Sequence, residues 1–388
     1  MQRQGLSFLE IQLTDIKKQS LYRAPELFTS KDPTKKLGRF TDFSSNDYLG
    51  LSQHPRVTVA ASQALKKWGT GSAASRLLSG NLGIHESLEK NLARFKREPA
   101  AAIFSSGYLA NLGTIGTLVS DKDVVVLDRL CHASLVDGAR LSKAKLWVYR
   151  HRNVTQLLEL LKRAKNFRRR LVVTDAYFSM DGDLAPLPEL IQVCRDTDSM
   201  LMIDEAHSTG VYGRTGRGLL EHFGVTGGVD VVVGTLSKAL GSVGGFVCGS
   251  KSLKEAIVNF CRPYIYTTAP SPAASAAGLE ALNVLKENPG LRTKLWNNVE
   301  WVRAGLTELR FDLMGSEGPI IPMRMGAAVA ALKMKEGLKK MGFFVSAIRP
   351  PSVPDGTARL RLSVSAAHTP RQVAELLSAF KKLRVRSR

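Results

Sequence analysis

Residues 234–245 read GTLSKALGSVGG and continue the apolar run VDVVV. Lys238 stands there beside the hydroxyls of Thr235 and Ser237, with glycines beyond it that let the backbone approach a bulky ligand closely. An amine so placed can condense with an aldehyde, because burial favours the neutral form that attacks a carbonyl. A surface lysine at the start of a helix is the plainer alternative.

The stretch LMIDEAHSTGVYGRTGRG puts Asp204 at the end of an apolar strand and His207 three residues later. A buried carboxylate needs a positive partner. A protonated heterocyclic nitrogen would serve, and an anion that keeps it protonated makes the ring an electron sink. An N-cap or a metal ligand are the other readings, although one carboxylate and one histidine make an incomplete zinc set. In FSSGYLANLG, the N–H groups of Gly107 and Tyr108 open a helix whose dipole favours an anion, and Thr235 can add a hydroxyl. The same Ser-Ser-Gly also reads as a simple helix cap. His132, in DRLCHASLVDG, offers a flat ring that could stack on a planar ligand or could be structural.

These residues need a scaffold, and the sequence from about residue 84 supplies one. Helix-period pieces (IHESLEKNLARFKR, GYLANLGTIGTLV, HASLVDGARLS, VTQLLELLKRAK, LAPLPELIQVCRDT) alternate with short apolar runs (AAIF, DVVVL, KLWVYR, RLVVTDAYF, MLMIDEAH, DVVVGTLS). That rhythm predicts an α/β domain over residues 51–285, with a mostly parallel sheet, helices on both faces, and ligands at the carboxyl ends of the strands. Ser179, Asp204 and the 235–238 stretch all follow strands. Beyond about residue 270 come two long helices and then a smaller α/β domain over 286–388, with which residues 1–50 are expected to pack.

The composition is that of a globular chain of 388 residues, with 44% hydrophobic and 23% charged residues. No apolar run reaches the ~20 residues that cross a bilayer, and the amphipathic N-terminus lacks the plan of a secretory signal. The four cysteines are scattered, suggesting neither a disulfide frame nor a metal site. A cytoplasmic location without membrane attachment is expected. The formal net charge of +21 favours anionic partners. Runs such as FKRE, LKRAKNFRRR and FKKLRVRSR read as solvated helix ends, and no nucleic-acid motif accompanies them.

Together, SSNDYLGL, GTGSAASRLLSGNLGIHESLE, DRLCHASLVDG, DEAHSTGVYGRTGRG and GTLSKALGSVGG resemble the α-oxoamine synthases from about Ser44 to about Arg371. These are pyridoxal 5'-phosphate (PLP) enzymes of the aspartate-aminotransferase-like fold type I. The resemblance implies that Lys238 holds the cofactor covalently, Asp204 faces its ring nitrogen, and His207 and Ser179 face its phenolic side. It also implies that His132 stacks on the ring while Gly107, Tyr108 and Thr235 bind the phosphate. Substrate contacts would come from Arg23, Asn46, Ser352 and one of Arg349 or Arg361. Ser352 stands where many members carry threonine, and SLYRAPEL around Arg23 matches only loosely.

The stretch AIRPPSVPDGTARLRLSVSAAHT most resembles family members that join L-alanine to a pimeloyl thioester, of coenzyme A or acyl carrier protein, in biotin synthesis. Members that use glycine with acetyl-CoA or succinyl-CoA are the nearest alternatives. A serine-using, membrane-anchored member fits less well. A basic nucleic-acid or carrier-protein binder on the same fold is the alternative from another class. The family also implies a homodimer.

Overall fold

The computed structural model describes residues 6–28 and 40–385. The first residues of the expected N-terminal helix and the last three of the basic tail lie outside them. The chain divides into two compact units: 46–179 with 183–294, and 1–45 with 180–182 and 295–388.

The larger unit is built on a seven-stranded sheet. Its strands are β1 (Ala100–Phe104), β2 (Val124–Asp128), β3 (Lys145–Tyr149), β4 (Arg170–Asp175), β5 (Met200–Asp204), β6 (Val231–Thr235) and β7 (Gly245–Gly249). Their spatial order is β1-β7-β6-β5-β4-β2-β3. The pairs from β6 through β3 are parallel, and β7 runs against both of its neighbours. The runs VVVL, LVVT and LMI in β2, β4 and β5 are apolar at successive positions because both faces of these strands are covered. On one face, Val125, Leu127, Val173, Met202 and Val233 share a core with Ala110, Ile115 and Leu135. Those last three lie on the helices Gly107–Leu118 and Ala133–Leu141.

Two strands end earlier than their apolar runs suggest. β4 stops at Asp175, four residues before Ser179, and β5 stops at Asp204 rather than His207. β7, GFVCG, escapes the periodicity reading because its short apolar core lies between glycines.

In the smaller unit, β8 (Ile320–Gly326), β9 (Ser346–Ile348) and β10 (Ala358–Ser363) form an antiparallel sheet in the order β9-β10-β8. A two-residue parallel pairing joins Thr41–Asp42 to Phe343–Phe344. Helices Ala328–Lys340 and Pro370–Val385 belong to this unit, and the helix Gly290–Glu308 carries the chain into it. The 20–28 segment is tied down by Glu26, which pairs with Lys335 at 3.2 Å and Lys339 at 2.9 Å, and by Phe28 edge-on to Phe344.

One basic run departs from the solvated-end expectation. Lys96, in FKRE, is buried and bonds to Glu205 Oε2 at 2.5 Å and Thr209 Oγ1 at 2.7 Å. Among the described residues, no helix is long and apolar enough to cross a membrane. Among the same residues, no three His, Cys, Asp or Glu side chains are grouped to hold a metal ion.

Candidate active site

Parallel strands bring their last residues to one edge of the larger unit. Asp128, Asp175, Asp204 and Thr235 terminate β2, β4, β5 and β6, and all four are buried. Asp204 accepts the Ala206 N–H at 2.8 Å through Oδ1 and the Asn111 amide at 2.6 Å through Oδ2. It therefore closes the local turn and also anchors a neighbouring helix. The turn is held from below by Glu205, whose other oxygen takes the Leu219 N–H at 2.6 Å while Lys96 neutralises its charge. A buried pair with its remaining lone pairs satisfied can hold a loop rigidly.

His207 is buried, and its Nδ1 lies 2.7 Å from the Tyr48 hydroxyl, which also donates to Asn46 Oδ1 at 3.3 Å. Tyr48 thus ties the 46–48 stretch to His207, 159 positions further along the chain. Ser179 is half-buried in the turn beyond the Tyr177–Leu184 bridge.

The loop after β6 folds back on itself. Thr235 Oγ1 donates to Gly244 O at 2.7 Å and lies 2.7 Å from Ser237 Oγ, while Gly241 N–H returns to Lys238 O at 2.9 Å. Gly241 has φ +60°, and a Cβ there would fall 2.2 Å from Ser52 N, so the turn requires glycine. Lys238 is half-buried at its crest. Gly245 lies so close to the start of the Gly107–Leu118 helix that a Cβ would meet Gly107 N and Cα at 2.6 Å. A Cβ on Gly107 would itself lie 3.5 Å from the Thr235 side chain. Ser106 caps that helix by accepting the Leu109 N–H at 3.2 Å, and Tyr108 donates its hydroxyl to Asp137.

His132 caps the helix Ala133–Leu141, with Nδ1 accepting the Ser134 N–H at 3.3 Å. Burial, against the pull of Asp204 and with the help of Lys238, holds its imidazole below the usual histidine range. Burial and then the Asp204 charge push the Asp175 carboxyl well above the usual carboxylate range, while Lys238 opposes them. Lys238, Asp204, His132 and Asp175 thus form one electrostatic cluster.

The expected substrate residues divide between the units. Asn46 belongs to the larger one. In the smaller unit Arg23, Arg349 and Ser352 line one cavity of about 580 Å3, together with Tyr22, Phe344 and Ile348. Arg23 donates to Ser352 Oγ at 3.0 Å. Arg349 donates to the carbonyls of Ser20 and Tyr22. Arg361 is buried on β10, outside that lining, and bonds Ser363 Oγ at 2.9 Å.

Asn111, Ser134, Asp175 and Tyr48 contact the candidate residues Asp204, His132 and His207, and pattern reading passes over them. Each lies inside a motif already singled out or at a strand end, but a lone polar residue within a helix carries no periodic signal.

The chain matches the family model for aminotransferase class I and II over residues 39–380, and it belongs to that family. It is 47% identical over 372 residues to an 8-amino-7-oxononanoate synthase of Methylococcus capsulatus, covering 95% of this chain and 96% of that one. Identity to the 8-amino-7-oxononanoate synthase of Thermoanaerobacter pseudethanolicus is 41% over 382 residues, covering 97% of each. Among solved structures, the serine palmitoyltransferase of Sphingomonas wittichii superposes with a TM-score of 0.93 at 33% identity, covering 98% of both chains. A structure of SPT with PLP gives a TM-score of 0.92 at 34% identity, covering 97% of this chain and 96% of that one. The 8-amino-7-oxononanoate synthase of Francisella tularensis gives 0.77 at 30%, covering 90% of this chain and 99% of that one. The fold is the aspartate-aminotransferase-like fold type I expected from the sequence motifs.

Proposed function

We propose that this chain is a PLP-dependent acyltransferase that condenses L-alanine with a pimeloyl thioester, releasing the thiol and carbon dioxide and forming 8-amino-7-oxononanoate for biotin synthesis. The observation that carries the reading is the convergence of Lys238, Asp204 and His132 at the carboxyl edge of the parallel sheet. The sequence relatives at 41% and 47% identity carry that enzyme's name. This supports alanine as the amino acid.

The donor set fits the cofactor. Asp204 offers a buried anion for a ring nitrogen, and Lys238 supplies an amine for its aldehyde. The N–H groups of Gly107 and Tyr108, with Thr235 close by, offer donors for a phosphate at a helix N-terminus. When bound, the pyridoxal ring supplies an electron sink for charge that develops at the amino acid's α-carbon.

Lys238 Nζ would hold the cofactor's aldehyde and, as a free amine, would take the α-proton of alanine and return a proton. Asp204, held by Ala206 and Asn111, would stabilise positive charge at the ring nitrogen. His132 would cover one face of the ring, and His207 and Ser179 would serve its phenolic side. Arg361 is the better candidate to grip the alanine carboxylate, because it is buried and oriented by Ser363. Arg349 already donates to two backbone carbonyls. Arg23, Ser352 and Asn46 serve the acyl donor or the amino acid. The basic surface would speed encounter with coenzyme A or an acidic carrier protein, an effect that salt should weaken. A cytoplasmic homodimer is the form proposed for the working enzyme.

The test is purified protein incubated with PLP, pimeloyl-CoA and either alanine, glycine or serine, followed by mass analysis. The expected result is the nine-carbon amino keto acid, 8-amino-7-oxononanoate, from alanine. Product from glycine or serine alone would overturn the substrate assignment.

A further inference from the structure

Asn111 lies in the second turn of the Gly107–Leu118 helix and is 1% exposed. Its Nδ2 is 2.6 Å from Asp204 Oδ2 and 2.9 Å from Ser134 Oγ, so both hydrogens of one nitrogen are engaged. Its Oδ1 is buried and has no hydrogen-bond partner. Turning the amide over would set that oxygen against the Asp204 carboxylate, so the anion selects the orientation that strands the carbonyl. Ser134 Oγ, which receives the Asn111 hydrogen, lies 2.7 Å from His132 Nδ1 and has its own hydrogen left to donate. The Ser134 backbone N–H reaches the same nitrogen at 3.3 Å. Two donors converge on His132 Nδ1, which therefore presents a lone pair.

We propose that Asn111 is a positioning residue that aims the Asp204 carboxylate and, through Ser134, holds His132 in the tautomer carrying its hydrogen on Nε2. The inference rests on the roles given above to Asp204 and His132. The donors run in one direction only, because an amide nitrogen cannot accept and Asp204 holds that nitrogen in place. Hydrogen on Nδ1 would face two donors at the positive end of a helix. The groups acting on His132 are burial, Asp204, Lys238 and Asp137, and Asp175 takes its backbone N–H at 2.7 Å. One amide thus couples the anion intended for the ring nitrogen to the imidazole intended for the ring face, and keeps that imidazole from adding a second positive charge.

The test is long-range proton–nitrogen NMR of full-length protein labelled at histidine, first stripped of cofactor and then loaded, with His132 assigned from a His132→Gln variant. In the unaltered protein, Nδ1 is expected to show the shift of an unprotonated nitrogen. Asn111→Asp replaces both donated hydrogens with an acceptor, draws the Ser134 hydroxyl away, and should make protonation of His132 at least about tenfold tighter. Ser134→Ala removes only the link and should tighten protonation about threefold without altering the Asp204 contact. If Asn111→Asp fails to fold, Ser134→Ala decides alone. Hydrogen on Nδ1 in the unaltered protein, or unmoved titration in the variants that fold, overturns the inference. The stripped-protein spectra are independent of product formation, so the relay and the proposed function can fail separately.

Discussion

Asp175 and Asp204 end neighbouring parallel strands and stand opposite each other in register, so two buried carboxylates share one corner of the site. Burial and the Asp204 charge push the Asp175 carboxyl well above the usual carboxylate range, and its Oδ2 accepts the His132 N–H. The two acids therefore have different work. Asp175→Asn keeps a neutral acceptor and should hold kcat within about threefold of the parent. Asp204→Asn removes the anion and should slow α-proton abstraction by about two to three orders of magnitude. Alanine α-deuterium washout, measured in both variants, checks the contrast, and equal losses would refute it.

Lys238→Ala should abolish turnover and the yellow colour of the cofactor-bound protein while leaving the melting temperature of the stripped protein nearly unchanged. Borohydride treatment followed by peptide mass analysis would locate the reduced linkage on Lys238 in the parent. Full activity in the alanine variant would remove the proposed mechanism.

Arginine binds a carboxylate through two parallel N–H bonds that lysine cannot reproduce. Arg361→Lys should raise KM for alanine by roughly 10- to 100-fold, with a smaller effect on the acyl donor. Arg349→Lys should act mainly by loosening the 20–22 segment. Steady-state kinetics with each substrate varied would reveal whether the two roles are reversed.

His151 lies between Asp128 at 2.9 Å and Asp183 at 2.8 Å. Burial opposes its charge, but the two carboxylates overcome that and raise its pKa from 6.5 to about 9. The folded state thus binds the proton more tightly than the unfolded chain. The resulting stabilisation, of the order of 3 kcal/mol, is fully present below pH ~6.5 and lost as pH rises through about 9. Denaturant midpoints from pH 6 to 10 should fall in the parent and fall less in His151→Gln. Parallel curves would contradict this assignment.

Removing one partner of a buried ion pair leaves an uncompensated charge. Lys96→Ala should therefore destabilise the protein by about 3–5 kcal/mol, and the double change with Glu205→Gln should recover part of that loss. Urea unfolding of the two single variants and the double variant measures the coupling. Additive losses would show that the pair contributes nothing beyond its separate members.

The primary structure was enough to nominate Lys238 and Asp204 as candidates and to predict the strand-and-helix alternation, because these rest on local rules. Apolar runs mark buried strands, strand ends expose polar groups, and long motifs such as GTLSKALGSVGG carry their own turn chemistry. The folded chain alone revealed that β7 reverses direction, that Lys96 turns inward to Glu205, and that Asn111 bridges Asp204 and Ser134. Nothing in the immediate neighbourhood of Lys96 distinguishes it from the solvated lysines at other helix ends, since its partner lies 109 positions away. Asn111 and Asp204 are 93 positions apart. Hydrogen-bond partners at such separations are chosen by how helices settle on the sheet, and that packing is a property of the whole chain rather than of any segment.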